Sequence, residues 1–179
     1  GRGSFGVVWK AHDPTMDRDV ALKILPPTSR DEDQGRLLRE VRAAARLNHP
    51  GVVSVYEMGE VEGRPFIVMD LVEGQPFGPA LKLKKRAILK IMVQLADTLQ
   101  YAHEQGLVHR DIKPSNILIT KEGLPVLVDF GLARTIGRDE RVTMTGAIFG
   151  TPAYMSPEQA GGTPGEVDAR SDVYSLGVV

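Results

Sequence analysis

The chain has 179 residues, of which 42% are hydrophobic and 25% charged, so it is long enough to bury a hydrophobic core. It contains no cysteine, which excludes disulfides, a thiol nucleophile and cysteine-ligated metal sites. The 22 Lys and Arg balance 23 Asp and Glu, and no apolar run reaches the roughly 18 residues of a membrane span, so we expect neither nucleic-acid binding nor membrane contact within this segment.

The first part of the sequence predicts strands arranged around one helix. Residues 5–11 and 20–25 are rich in β-branched, aromatic and aliphatic side chains, which favours two strands. An apolar stripe with an acidic first turn predicts a helix from about residue 31 to residue 47. Residues 52–58 and 65–69 then read as two further strands joined by a short turn.

The second part of the sequence predicts mostly helix. Residues 73–79 carry Gly and Pro and are expected to form a flexible linker. The helix that follows has an apolar stripe at helical spacing, made of Ile88, Ile91, Met92, Leu95, Leu99 and Ala102, and Gly106 is placed to end it. A short hairpin is predicted from 117–119 and 126–128, and residues 129–158 are expected to form a long irregular loop of functional importance.

Three glycines at the start of the chain, Gly1, Gly3 and Gly6, have the G-x-G-x-x-G spacing that lets a backbone approach phosphate groups. A dinucleotide-binding fold requires a helix directly after such a loop. Residues 7–11 continue as strand, so that interpretation is excluded.

Two charged residues fall on positions that are expected to be buried. Lys23 lies in a predicted strand, on the same face as Ala21 and Leu25. Glu40 falls on the apolar stripe of the first helix, where a carboxylate is costly unless a cation meets it. We therefore expect Lys23 and Glu40 to pair and to point into a cleft.

The most informative stretch is the loop 109–116, which holds Asp111, Lys113 and Asn116. An acid, a lysine and an amide suit a site that positions a hydroxyl, neutralises phosphate and binds a metal. Asp129 follows a buried strand and, with Asn116, would offer the oxygen ligands that Mg²⁺ prefers. For His109 a structural role is expected.

Taken in order, these segments resemble the eukaryotic-type (Hanks-type) serine/threonine protein kinases. The matching motifs are Gly1-x-Gly3-x-x-Gly6, Val20-Ala-Leu-Lys23, Glu40, His109-Arg-Asp-x-Lys-x-x-Asn116, Asp129-Phe-Gly131 and Ser156-Pro-Glu158. Lys113 and the sequence of residues 150–154 favour the serine/threonine branch, and residues 150–159 look most like bacterial members.

The resemblance implies an α+β, bilobal kinase fold. Residues 1–69 would form an N-lobe with an antiparallel sheet and one helix, 70–79 a hinge and linker, and 80–179 an incomplete, mainly helical C-lobe. The chain would thus be a kinase domain truncated at both ends, and we expect this segment alone to be weakly active or prone to aggregate. Glu158 would pair with an arginine beyond residue 179.

The resemblance also assigns an ATP site. The residues expected to contact the nucleotide are Gly1, Gly3, Phe5 and Gly6 over the phosphates, Lys23 held by Glu40, Val8, Ala21 and Leu118 around adenine, Met69 as gatekeeper, and the Asp70 and Val72 backbone at the hinge. Asp111 would accept or orient the proton of the substrate hydroxyl, and Lys113 would neutralise the transferred γ-phosphoryl group. Asn116 and Asp129 would bind Mg²⁺, with Mn²⁺ as an alternative.

Regulation is expected to involve phosphorylation of the loop after Asp129. Thr143 or Thr145 would carry the phosphate, and Arg110, Arg134 and Arg36 could gather around it; the alternative is that these are ordinary exposed threonines. Thr151 would contact Asp111 and Lys113 structurally. Phosphorylation in trans would require at least a transient homodimer.

Two other functions stay open at this point. One is a nucleotide-binding pseudokinase or scaffold, although no motif residue is lost. The other is a small-molecule phosphotransferase of kinase-like fold, which would not need the block 151–158. The lysine-rich run 82–86 is expected to be a solvated helix start, with a docking patch as the alternative. A kinase would act on Ser/Thr residues of proteins in the cytoplasm, or at the cytoplasmic face of a membrane.

Overall fold

The computed structural model describes residues 2–3, 6–27, 31–130, 152–161 and 167–179. Its first sheet is antiparallel, with strands in the order β1-β2-β3-β5-β4. These strands are β1 (Arg2–Gly3), β2 (Gly6–Asp13), β3 (Arg18–Ile24), β4 (Val55–Val61) and β5 (Arg64–Asp70). The second sheet has the order β6-β7-β8, with β6 (Gly74–Pro76), β7 (Ile117–Thr120) and β8 (Pro125–Leu127).

The described residues also form four α-helices: α1 (Asp31–Ala44), α2 (Lys85–Glu104), α3 (Pro157–Gly161) and α4 (Ala169–Val178). None of these helices is both long enough and apolar enough to cross a membrane. On α4 the apolar side chains of Val173, Tyr174 and Val178 are 63%, 47% and 43% exposed.

The first sheet and α1 share one apolar core. β3 is a central strand, and its Ala21 packs with Ile67 and Met69 of β5. Leu37 and Val41 of α1, four residues apart and therefore on one helix face, are buried against the same cluster. The predicted strands and helix of this region are thus present, although the helix ends at Ala44 rather than near residue 47.

The second core surrounds α2. Leu95, Leu99 and Ala102 are almost fully buried and pack against Ile117 and Leu127 of the second sheet. Gly106 has a φ of +75°, the left-handed conformation that ends a helix. The predicted stripe and stop are confirmed, except that Ile88, in the first turn of the helix, is 36% exposed.

The linker predicted at 73–79 is wrong in part, because Gly74–Pro76 forms β6 and pairs with β7. Phe77 follows it, is buried, and donates its backbone N–H to the Ile117 carbonyl at 2.8 Å. Gly74 is required for this pairing, since a Cβ there would lie 2.8 Å from the Ile119 carbonyl oxygen. Burial of Phe77 and sheet hydrogen bonds outweigh the turn-like composition of the segment.

The segment after α1 joins the two halves of the fold. Val53 donates its N–H to Leu127 at 3.0 Å, and Leu127 donates to Gly51 at 2.8 Å, so residues 51–53 run beside β8. The strand predicted from residue 52 therefore begins only at Val55. Because β8 leads directly into Asp129, this ladder fixes the place where that carboxylate emerges.

Candidate active site

Lys23 of β3 meets Asp129 between the two sheets. The Lys23 Nζ lies 2.8 Å from the Asp129 Oδ2, and the Lys23 side chain is only 3% exposed. A buried ammonium group requires such a counter-charge. Asp129 itself has a φ of +67°, a conformation that side chains rarely adopt and that directs its carboxylate away from the strand path.

The expected pairing of Lys23 with Glu40 differs from what the structure shows. Glu40 Oε1 lies 3.9 Å from the Arg110 Nη1, while the Lys23 ammonium meets Asp129. The reason is geometric: the end of β8 brings Asp129 within reach of β3, and Glu40 on α1 faces the loop that carries Arg110. All four charges are largely buried, with side chains at most 23% exposed, so each is stabilised by its neighbour.

The loop before β7 brings together the two predicted catalytic residues, Asp111 and Lys113, and the predicted metal ligand Asn116. Lys113 Nζ is 2.8 Å from the Asp111 Oδ2. Asn116 donates from Nδ2 to both the Oδ2 and the backbone carbonyl of Asp111, each at 2.8 Å. A short 3₁₀ turn, Pro114–Asn116, folds the chain back so that these residues converge. The Asp111 carboxylate is therefore oriented by two donors while its side chain stays 19% exposed.

His109 has the structural role that was expected of it. The ring is fully buried and its centroid lies 4.5 Å from that of Phe130. Its Nδ1 accepts the Asp111 N–H at 3.3 Å, so the proton sits on Nε2, which donates to the Val128 carbonyl at 2.9 Å. The imidazole thus joins the catalytic loop to the end of β8.

Asp172 of α4 is a site residue for which the sequence predicted no role. Its Oδ2 accepts the backbone N–H of His109 at 2.8 Å, and its Oδ1 accepts that of Arg110 at 2.7 Å. His103 of α2 lies 2.8 Å from the same Oδ2. Burial alone would raise the pKa of Asp172, but the hydrogen bond from His103 and the backbone N–H donors of His109 and Arg110 together lower it.

The one available signal for Asp172 was an acidic residue at the start of an apolar stretch, which resembles an ordinary helix N-terminus. The contacts that give it a role span 62 and 63 residues of sequence. No local pattern reports such a distance.

The segment around α3 is held by α4. Ser175 donates its hydroxyl to the Tyr154 carbonyl at 2.7 Å, and Ser171 donates its hydroxyl to the Glu158 carboxylate. The hydrogen bond from Ser171 is the main reason why the pKa of Glu158 lies below its ordinary value. The arginine that was expected to pair with Glu158 lies outside the described residues.

The residues predicted to contact adenine lie on strands of both sheets. The strand register pairs Val8 with Lys23 and Ala21 with Met69, so these positions share one sheet. Ala21 and Met69 are buried, and Val8 is half-buried. On the second sheet Leu118 is half-buried in β7. Small and apolar side chains therefore occur on both sheets, as a flat aromatic ligand requires.

The chain leaves the first sheet at Asp70, which is exposed, and Val72 beyond it is half-buried. A small apolar cavity of about 20 Å³ borders Met69, Asp129 and Phe130. A polar groove of about 610 Å³ lies against residues 70–73 and includes neither Lys23 nor Asp111. The candidate chemistry is therefore not located in the larger groove.

The glycine motif is partly described. Gly3 of β1 pairs with Gly6 of β2, and Gly6 has a φ of +134°. A Cβ on Gly6 would lie 2.2 Å from the Ile24 carbonyl oxygen, so only glycine fits there. Other predicted site residues lie outside the described residues or have no described side chain, namely Gly1, Phe5, Arg36, Arg134, Thr143, Thr145 and Thr151.

Asn116 and Asp129 are the residues that could supply oxygen ligands to a divalent metal ion. The Asn116 Nδ2 donates to Asp111, which leaves its amide oxygen as the acceptor end, and Asp129 adds a carboxylate. The Asn116 backbone lies beside β8, since it accepts the Val128 N–H at 3.0 Å. Within the described ranges no cluster of three or more His, Asp or Glu could hold a metal. Two hard oxygen donors suit an ion that is shared with phosphate oxygens rather than caged by protein alone.

The comparisons with a family model, with curated sequences and with solved structures all point to one family. The model of the protein kinase domain matches residues 1–179. DNA damage-responsive serine/threonine-protein kinase RqkA of Deinococcus radiodurans is 43% identical over 100% of this chain and 28% of its own length. Serine/threonine-protein kinase PknA of Mycobacterium tuberculosis is 45% identical over 99% of this chain and 43% of its own length.

The crystal structure of the Mycobacterium tuberculosis PknI kinase domain matches with a TM-score of 0.76 at 33% identity, over 98% of this chain and 66% of that one. The chain spans less than half the length of the two relatives RqkA and PknA. Family model, sequence relatives and fold agree with the geometry of the site. The chain belongs to the protein kinase domain family, whose members use ATP, a divalent metal ion and protein substrates.

Proposed function

We propose that the protein is a serine/threonine kinase that transfers the γ-phosphoryl group of ATP to Ser or Thr hydroxyls of proteins. The observation that carries this proposal is the convergence of Lys113 and Asn116 on Asp111, each at 2.8 Å. The names of the relatives support the serine/threonine class.

In this proposal Asp111 acts on the acceptor. Its carboxylate orients the substrate hydroxyl and accepts the hydroxyl proton as the oxygen attacks phosphorus. Lys113, 2.8 Å from that carboxylate, carries a charge that offsets the negative charge of the transferred group. A partly exposed carboxylate held by two donors suits this task, because it can reach a substrate without losing its orientation.

ATP would bind between the sheets. Lys23 would contact the α and β phosphates, and the glycines Gly3 and Gly6 would lie over the phosphates. Adenine would lie between Ala21 and Leu118, with Val8 above it and Met69 at the back. The backbone of Asp70 and Val72 would hydrogen-bond the base.

The metal would be Mg²⁺, or Mn²⁺ as an alternative, held by Asn116 and Asp129. A bound divalent ion neutralises phosphate charge and aligns the transferred group. Lys23 already neutralises Asp129 in this structure at 2.8 Å, so binding of a metal and nucleotide would exchange one positive partner of that carboxylate for another.

The chain would divide into two lobes joined by a hinge. Residues 1–69 would form the N-lobe and 80–179 the C-lobe, with 70–79 between them; the end of β5 at Asp70 supports the first boundary. Regulation would act through phosphorylation of Thr143 or Thr145. The phosphate would compete with Glu40 for Arg110 and would also bind Arg134. Thr151 would contact Asp111 and Lys113, and phosphorylation in trans would involve a transient homodimer.

The test is phosphate incorporation after incubation of the intact protein with Mg·ATP, mapped by mass spectrometry, beside an Asp111→Asn control. Incorporation on Ser or Thr that the control abolishes is expected. Nucleotide binding without transfer would instead favour a scaffold. Transfer to small alcohols or aminoglycosides, and not to a generic basic protein, would favour a small-molecule phosphotransferase.

A further inference from the structure

We propose that Gln159 is a positioning residue for Asp111, an inference that rests on the proposed kinase function. Gln159 lies on α3, and it contacts the catalytic loop although 49 residues separate it from Arg110 in sequence. Gln159 is the last residue of the stretch 150–159 that resembles bacterial members, but the sequence assigned it no role.

Both ends of the Gln159 amide are engaged, and the residue is 7% exposed. Its Nε2 donates to the Arg110 carbonyl at 2.8 Å. Its Oε1 accepts the backbone N–H of Ser156 at 3.1 Å and the Ser156 hydroxyl at 3.2 Å. An N–H on one side and a carbonyl on the other allow only one orientation of the amide, because a flip would place oxygen against oxygen.

The carbonyl that Gln159 contacts belongs to the peptide group that begins Asp111. That peptide group is planar, so fixing its oxygen and its nitrogen fixes the direction in which Asp111 leaves it. The nitrogen is held by His109 at 3.3 Å and the oxygen by Gln159 at 2.8 Å. Arg110, on the near side, has a φ of +67° and depends on such contacts to keep this rare conformation.

The other end of this connection is α4. Ser171 and Ser175 hold Glu158 and the Tyr154 carbonyl, so the residues flanking Gln159 are tied to a longer helix. Gln159 thereby adds a second link between α4 and the loop that carries Asp111, beside the direct contacts of Asp172 with His109 and Arg110. A displacement of about 1 Å of a catalytic group is enough to lower a rate strongly.

The experiment compares Gln159→Glu and Gln159→Met in the intact protein, with exposed Gln105→Glu as the matched control. Glu keeps the shape but sets a carboxylate oxygen against the Arg110 carbonyl, and Met keeps the length without a donor. We expect kcat on a generic basic protein to fall at least about tenfold for Gln159→Glu and less for Gln159→Met. The KM for ATP should stay within about twofold, and Gln105→Glu should behave as wild type.

A second arm separates positioning from general structural support. If Gln159 acts through Asp111, then Gln159→Glu in an Asp111→Asn background lowers the residual rate less than about twofold. An equal loss in both backgrounds overturns the inference, and so does an unchanged kcat in both single variants of Gln159 when the wild type is active. An inactive wild type overturns the proposed function and this inference together. If Gln159→Glu does not unfold cooperatively, the kcat of Gln159→Met alone tests the inference.

Discussion

The Asp172 carboxylate accepts the backbone N–H of Arg110 at 2.7 Å, although 62 residues of sequence separate the two. Two protein segments that are remote in sequence thus meet directly beside Asp111. An asparagine at this position has the same shape, but its side-chain N–H would face at least one backbone N–H, which would lose its acceptor.

Asp172→Asn is therefore expected to lower both stability and activity. The side chain is 1% exposed, and a buried donor left without an acceptor costs about 1–3 kcal/mol, more where a charge was involved. We expect the free energy of unfolding to fall by about 2 kcal/mol or more and kcat to fall with it. Asp168→Asn, at the N-cap of the same helix, is the control, because Asn caps helices nearly as well as Asp. Equal stability of both variants would contradict the role given to Asp172.

Acid should weaken the same contact. The folded pKa of Asp172 lies below its ordinary value, so its contribution to stability is complete above the unfolded pKa of about 3.9 and is lost as pH falls through the folded value. Chemical unfolding of wild type and Asp172→Asn from pH 7 down to pH 3 measures this. The difference in unfolding free energy should shrink as pH falls below about 4. If this difference in unfolding free energy instead grows as the pH falls, the pKa of Asp172 is raised on folding and the prediction is wrong.

Gly6→Ala should be more damaging than glycine substitution elsewhere. Its Cβ would lie 2.2 Å from the Ile24 carbonyl oxygen, whereas a Cβ on Gly63, which also has a positive φ of +72°, meets nothing within 4 Å. Gly63→Ala measures conformational strain alone, about 1–2 kcal/mol of unfolding free energy. Gly6→Ala should exceed it, since backbone must shift, and should raise the KM for ATP. Matching losses in the two variants would remove the steric argument.

Helix α2 offers a paired test of the second core. Leu95 is 0% exposed and Leu89 is 66% exposed on the same helix. Leu95→Ala is expected to cost about 2–5 kcal/mol of unfolding free energy because it leaves a cavity. Leu89→Ala should change it by no more than about 0.5 kcal/mol. Urea denaturation of both variants gives the comparison, and a cost at Leu89 similar to that at Leu95 would mean that the assigned helix face is wrong.

The parts of the site that sequence could predict are those set by short spacings. Asp111, Lys113 and Asn116 converge because one 3₁₀ turn folds back a loop of only six residues, 111–116, and the periodicity of α2 follows from its own stripe. The partner of Lys23 could not be predicted in this way, because the choice between Glu40 and Asp129 depends on how α1 and β8 are placed in three dimensions.

Contacts between remote segments could not be predicted. Gln159 and Asp172 act through backbone groups of residues 109–110, and backbone groups carry no sequence signal of their own. The strand β6 was missed for a related reason. Its Gly and Pro are typical of a linker, and only its pairing with β7 and the burial of Phe77 make it a strand.

The ladder that joins residues 51–53 to β8 has a mechanical consequence. Those residues move with the second sheet, although they are followed directly by a strand of the first. The chain passes between the sheets three times, between α1 and Gly51, next to Ser54 and next to Leu71. The last two crossings lie side by side, because Asp70 donates its N–H to the Ser54 carbonyl at 2.9 Å. A rotation of one sheet relative to the other about this pair of crossings would change the separation between Lys23, on the first sheet, and Asp129, beside the second.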